Sequence, residues 1–148
     1  MTGQVSDRIP QRGLPFRLDF TLYWMEKIII QKLGEQGLTD LVAAFYRRVK
    51  GDDLIGPMYP DQDWEGAEKR LRDFLLFRFG INDQYIQDRG HPRLRMRHMP
   101  FSIGSPESQR WQKLMVEAME EIEVDEEAQE MLRAFFCQVA DFMRNRPD

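Results

Sequence analysis

Along most of the chain between Leu18 and Met143 the apolar residues return every three or four positions, and no segment keeps up a two-residue alternation, a spacing that leaves this chain little to fold into but helices. Such a repeat lines one face of a 3.6-residue helix, whereas a half-buried strand needs alternation. Leu18, Leu22, Met25, Ile29 and Leu33 share the first face, and Gly34 and Gly37 end the run. Ile28-Ile29-Ile30 favours strand by side-chain type alone, but the helix formers on both sides draw it into the helix. A second stripe takes Leu38, Leu41, Val42, Phe45, Tyr46 and Val49, until Gly51 and Pro57 break it. A third helix is predicted from about Trp64 to Phe79, with Ala67, Leu71, Phe74 and Leu75 inward and Gly80 as its stop. Ser105-Pro106 reads as a helix start, with Ser105 the cap and proline in the first turn. It leads into Trp111, Leu114, Met115, Ala118, Met119 and Ile122. The last helix places Met131, Leu132, Phe135, Phe136, Val139, Phe142 and Met143 on one side.

The expectation is an all-α chain of four or five substantial helices, with no internal repeat. Residues 1–17 mix proline, glycine and arginine without a period and read as a flexible N-terminal arm; residues 18–148 read as a single domain with a long first helix. The weakest pattern lies in residues 80–104, which look loop-like with room for one short helix. Lys and Arg number 21 against 25 Asp and Glu, and a formal charge of −4 argues against a nucleic-acid partner. The one cysteine, Cys137, leaves no disulfide framework or multi-cysteine metal site, and its place off the main stripe makes it a bystander. The first residues lack the apolar run of a signal peptide and no stretch approaches a membrane span, so a cytoplasmic protein is expected. Glu117, Glu120, Glu121 and Glu123 read as a solvated helix face.

The chain has two histidines, His91 and His98, both within Gly90-His91-Pro92-Arg93-Leu94-Arg95-Met96-Arg97-His98-Met99-Pro100-Phe101-Ser102-Ile103. With no third histidine and no cysteine cluster, a structural zinc site has too few ligands. A lone imidazole can instead serve a planar cofactor that brings its own four ligands, as haem does. Such a group needs a wide apolar slot, and the stripes offer large apolar residues together with three polar-tipped aromatics, Tyr46, Tyr59 and Trp111.

Several segments together resemble the group II truncated haemoglobins: Phe45-Tyr46-x-x-Val49, Met58-Tyr59-Pro60, Gly66-Ala67-Glu68-Lys69-Arg70-Leu71-Arg72-x-Phe74-Leu75, the histidine segment, and Trp111-x-x-x-Met115. The likeness covers about residues 36–145. It implies a reduced globin fold, a two-over-two helical sandwich around a haem. By that resemblance His98 is the proximal iron ligand, its other ring nitrogen donating to a backbone carbonyl. Tyr46, Tyr59 and Trp111 would be the distal donors, and Ala67 and Leu71, four apart on one helix, would face the ligand. Ala67 stands where classical globins commonly carry histidine or glutamine, which leaves the polar work to the three aromatics and an open path for entry. Haem contacts are expected from Phe45, Phe74, Leu94, Phe101, Ile103 and Met115, with Arg70, Arg95 and His91 toward the haem carboxylates.

The family often pairs glycines after its first helix and after its distal helix. Here those places read Leu33-Gly34 and Gly80-Ile81, which puts the two turns in question. The resemblance implies binding of dioxygen and other diatomics such as NO and CO, with slow oxygen release. Two rivals stand beside it: a haem peroxidase or nitric oxide dioxygenase, served by a reductase, and a haem-free helical interaction module. A monomer and a homodimer are equally consistent with the sequence.

Overall fold

The computed structural model describes residues 20–147, with side-chain surroundings from Tyr23 onward. The arm expected over 1–17 and the helix start expected at Leu18 lie outside the described residues, as does the side chain of Leu22. Seven α-helices and no strand occur among the described residues. They are α1 (Phe20–Lys32), α2 (Gly34–Val49), α3 (Trp64–Arg78), α4 (Gln84–Arg89), α5 (Leu94–His98), α6 (Ser105–Glu121) and α7 (Glu126–Phe142), with 3₁₀ turns at Gly56–Met58 and Pro60–Gln62.

The stripe of α2 is the centre of the core: Leu38, Leu41, Val42, Phe45 and Val49 are fully buried. Burying one such side chain is worth roughly 1.5–3 kcal/mol, so a single charged substitution on this stripe would be severe. The stripe packs against α3 on one side and α6 on the other, α6 packs on α7, and α1 rests on α2 and α7. The pair α2/α3 thus lies across the pair α6/α7, which is the two-over-two arrangement. Phe79 at the end of α3 meets Phe135 of α7 with ring centroids 5.1 Å apart, joining the two layers.

Several local expectations are corrected. Gly34 begins α2, so Gly37 lies inside that helix and does not end α1. The two doubtful turns form with one glycine each: Gly34 takes φ +66° and Gly80 φ +78°, while Leu33 and Ile81 keep negative φ. The cap of α6 is Gly104 rather than Ser105. Glu107 Oε1 accepts from the Gly104 amide at 2.8 Å, and a Cβ on Gly104 would stand 2.7 Å from the Arg146 guanidinium. Residues 80–104 hold two short helices, each too brief to show a period in sequence. Tyr85 of α4 is buried against Phe74 at 5.7 Å, and Lys69 of α3 reaches Asp88 at 3.1 Å. Phe142, expected inward, is 56% exposed.

The acidic residues of α6 are not all free in solvent. Glu121 bonds both Arg47 and Arg48 of α2, and Glu117 lies 3.7 Å from Arg48. Pairs this exposed contribute little singly.

Candidate functional site

A cavity of about 300 Å³ opens between α3, the α4–α5 segment, α6 and α7. That is at the small end of the roughly 300–1,000 Å³ usual for ligand sites. Its walls are mostly apolar, and the polar groups come from two places.

One is the aromatic cluster. Tyr46 leaves α2 one residue after Phe45 and is 4% exposed. Tyr59 comes from the loop between the 3₁₀ turns, and Trp111 from the second turn of α6. Three local devices shape the Tyr59 loop. Asp52 accepts from the amides of Leu54 at 3.0 Å and Ile55 at 2.9 Å, which folds the chain back beyond α2. Gly56 then crosses so close to α2 that a Cβ would sit 2.7 Å from the Val49 carbonyl, a passage open only to glycine. Pro60 holds Tyr59 extended, at φ −85° and ψ 116°. The rings pack edge to face: Tyr46 and Tyr59 centroids are 5.6 Å apart, Phe45 and Trp111 5.1 Å.

The polar tips of the cluster draw together at Tyr59: the Tyr46 hydroxyl and the Trp111 indole, which can only donate, both act on the Tyr59 phenol from the donor side. Burial, then the Tyr59 dipole, pushes the Tyr46 phenol well above its ordinary value. Burial likewise raises Tyr59, although its two donors pull the other way. Both hydroxyls therefore keep their protons throughout the neutral range.

The other polar place is α5. Leu94 and His98, one turn apart, both line the cavity. His98 Nδ1 lies 2.7 Å from the Leu94 carbonyl oxygen. A carbonyl only accepts, so Nδ1 carries the proton, and in the neutral imidazole the lone pair is on Nε2. The helix begins at Arg93 in the left-handed region (φ 42°, ψ 49°), after Gly90 at φ +75°. Arg97 ties the loop beneath it, Nε donating to the Pro92 carbonyl at 2.8 Å and a terminal nitrogen to the Arg89 carbonyl at 2.9 Å. Asn145 clasps the other end. Its Nδ2 donates to the carbonyls of His98 at 3.2 Å and Phe101 at 2.8 Å, and its Oδ1 accepts from the Ile103 amide at 2.9 Å.

Of the residues singled out in sequence, the cavity brings together Tyr46, Tyr59, Trp111, Ala67, Leu71 and Arg70 on one side. From the other come His98, Leu94, Phe101 and Ile103, with Phe74 between. Phe45 and Met115 are fully buried behind the wall and do not line it. Arg95 also stands off: its guanidinium donates to the Phe142 carbonyl at 3.1 Å and lies 5.8 Å from the Phe142 ring centroid. The His91 ring accepts from the Arg93 amide at 3.2 Å. Arg89, Arg97 and Tyr85, which the sequence reading passed over, do line the cavity. The basic spacing of Arg93, Arg95 and Arg97 was visible, but not which of them turned inward. Asn145 carried no signal at all, because one polar residue past a helix end resembles any other.

The family model for bacterial-like globins matches residues 29–145. The chain belongs to the bacterial-like globin family. Among its relatives, the group 2 truncated hemoglobin YjbI of Bacillus subtilis is 35% identical over 102 residues, covering 69% of this chain and 76% of that protein. The hemoglobin of the thermophilic phototroph Chloroflexus aurantiacus superposes with a TM-score of 0.75 at 38% identity, over 80% of this chain and 98% of that one. A truncated oxygen-avid haemoglobin from Bacillus subtilis superposes at 0.74 and 32% identity, covering 78% and 98%. This globin is accordingly a haem protein that binds diatomic gases.

The cavity suits that cofactor on its own evidence. Its walls are mostly apolar, one imidazole lines it with Nδ1 engaged and Nε2 left to serve as a ligand, and Arg70, Arg89 and Arg97 on the lining would suit the carboxylates. No group of three His, Cys, Asp or Glu side chains that could hold a bare metal ion occurs among the described residues. No helix among them is long and apolar enough to cross a membrane.

Proposed function

We propose that His98 holds the haem iron of this globin, and that Tyr59, oriented by Tyr46 and Trp111, is the donor that retains a bound diatomic, giving slow oxygen release. One observation carries the reading: a lone imidazole with its Nδ1 committed to the Leu94 carbonyl lines the same apolar cavity as Tyr46, Tyr59 and Trp111. Haem, when bound, supplies an iron with a position open to the gas. The rest is the work of the chain. The Nδ1–H bond to the Leu94 carbonyl fixes the ring's tautomer and rotation and makes Nε2 a better ligand.

In this reading Tyr46 and Trp111 serve Tyr59 as donors, which leaves the Tyr59 proton to offer inward. A hydrogen bond to a charged group is worth roughly 1.5–3 kcal/mol, or one to two decades in a dissociation rate. Ala67 and Leu71 add no competing polar group and leave an apolar way in. Arg70, Arg89 and Arg97 take the haem carboxylates, the role expected of Arg95 and His91 passing to the arginines on the lining. The oxygen avidity of the Bacillus subtilis haemoglobin is the behaviour this reading extends to the chain.

The test is a set of ultraviolet–visible spectra: ferric, dithionite-reduced, then under carbon monoxide. A sharp Soret band that moves at each step is expected. Its absence, even after hemin is added, would overturn the reading. Sustained peroxide consumption well above that of free haem would move the conclusion from gas binding to peroxidase chemistry.

A further inference from the structure

The helix that carries His98 has an outer face with a character of its own. Arg95 and Met99 lie one turn apart there, with Met96 between them, on the side away from Leu94 and His98. Met96 is 57% and Met99 58% exposed, and Phe142 continues the apolar strip beneath the Arg95 guanidinium. Arg93 closes its N-terminal edge. The nine residues from Arg89 to Arg97 hold four arginines and no carboxylate, in a chain of formal charge −4, so the rest of the molecule is more acidic still.

Nor is that charge neutralised locally. Arginines elsewhere on the fold reach carboxylates, as in Arg48–Glu117 at 3.7 Å, Arg78–Glu26 at 3.2 Å and Arg110–Asp52 at 2.7 Å. Arg89 and Arg97 face the cavity, and Arg93 and Arg95 meet no carboxylate within 4 Å among the described residues. Exposed methionine and phenylalanine framed by arginine match the composition that distinguishes protein interfaces from ordinary surface. A basic patch on an acidic body also orients an approaching acidic molecule.

We propose that this outer face of α5 docks an acidic electron-donor protein, one carrying a reduced flavin or iron–sulfur centre, which returns the ferric globin to the ferrous state. The inference rests on His98 as the iron ligand, since that places the docking face on the back of the ligand's own helix. The step moves one electron: the donor centre is oxidised by one, the iron goes from ferric to ferrous, and no covalent bond is made or broken. Small, transient interfaces are usual for redox partners, and a five-residue helix offers about that much surface.

The test uses the haem-loaded protein and an acidic [2Fe–2S] ferredoxin as probe. Reduction of the ferric form by reduced ferredoxin is expected to slow steeply with salt, and by about tenfold or more in an Arg93→Asp, Met99→Glu variant. Dithionite should reduce both proteins alike. Calorimetry with oxidised ferredoxin should give binding to the wild type and none to the variant, a reading that involves no turnover.

Arg133→Glu, which reverses an exposed arginine nine residues before Phe142 and so on the opposite side of α7, should stay near wild type. Asp is tolerated in the left-handed conformation of Arg93, and circular dichroism and the ferric spectrum check the fold. Should the pair disturb it, Arg93→Asp alone decides by the same readouts. Equal reduction rates and equal binding in wild type and variant would overturn the proposal, as would an equal loss in Arg133→Glu. So would loss of binding to phosphatidylglycerol vesicles with ferredoxin reduction intact, which would make the face a membrane surface. Failure of the haem reading is seen separately, as a wild type with no Soret band.

Discussion

On the tyrosine side, the cavity wall rests on helices of 15 to 17 residues whose stripes are largely buried; on the histidine side, it rests on one helix of five residues with no buried member. The first wall has three polar aromatics that brace one another. The second presents a single imidazole, kept in place by loops, by Arg97 and by Asn145. Redundancy on one side and a lone attachment on the other mean that the same kind of substitution has very different consequences across the cavity.

The sharpest break comes from His98→Ala. With no other imidazole on the lining, stable haem retention should be lost, read as disappearance of the Soret band after gel filtration. Full retention with an unchanged spectrum would refute the ligand assignment.

Tyr59→Phe comes next and sharpens the contrast, because haem stays while oxygen leaves faster, by about one to two decades. Tyr46→Phe and Trp111→Phe each remove one brace and should speed release less. Stopped-flow oxygen dissociation ranks the three, and an unchanged rate in Tyr59→Phe would show that the donor lies elsewhere.

Asn145→Ala tests whether the thin wall depends on its clasp. The hydrogen bonds lost to His98, Phe101 and Ile103 should cost about 1–3 kcal/mol in thermal or denaturant unfolding and hasten haem loss. Oxygen release from the ferrous form should change little.

The smallest effect belongs to alkaline pH. The folded state holds the Tyr46 proton above the ordinary value of 10.0, so it keeps a proton that the unfolded chain gives up. This contribution to stability is whole below pH 10 and declines as pH rises past it. Tyr46→Phe should flatten that decline in urea titrations at pH 9 to 11. A slope as steep as wild type would assign it to other groups.

Much of this asymmetry follows from what a sequence can display. The stripe of α2, from Leu38 to Val49, repeats often enough to declare its period and buried face, and the resemblance then attaches Tyr46 to it. Tyr59 stood out through Pro60 and its place in a recognisable motif rather than through any period. Five and six residues cannot show a 3.6-residue repeat, so α4 and α5 read as loop. Side-chain direction on so short a helix depends on tertiary ties such as Arg97 to Pro92, which is why Arg95 and Arg97 could not be told apart. Asn145 acts on residues 42 to 47 positions away, a separation at which local pattern is silent.

In the proposed reading, the donors behind the Tyr59 oxygen have a consequence for which guests the pocket would keep. An oxygen filled from behind can give a proton forward but is poorly placed to receive one. The pocket would then sort small molecules by the sign of the charge they present: a guest that turns a negative end toward Tyr59 would be held, a neutral one held less, and one that arrives as a donor would find no acceptor there.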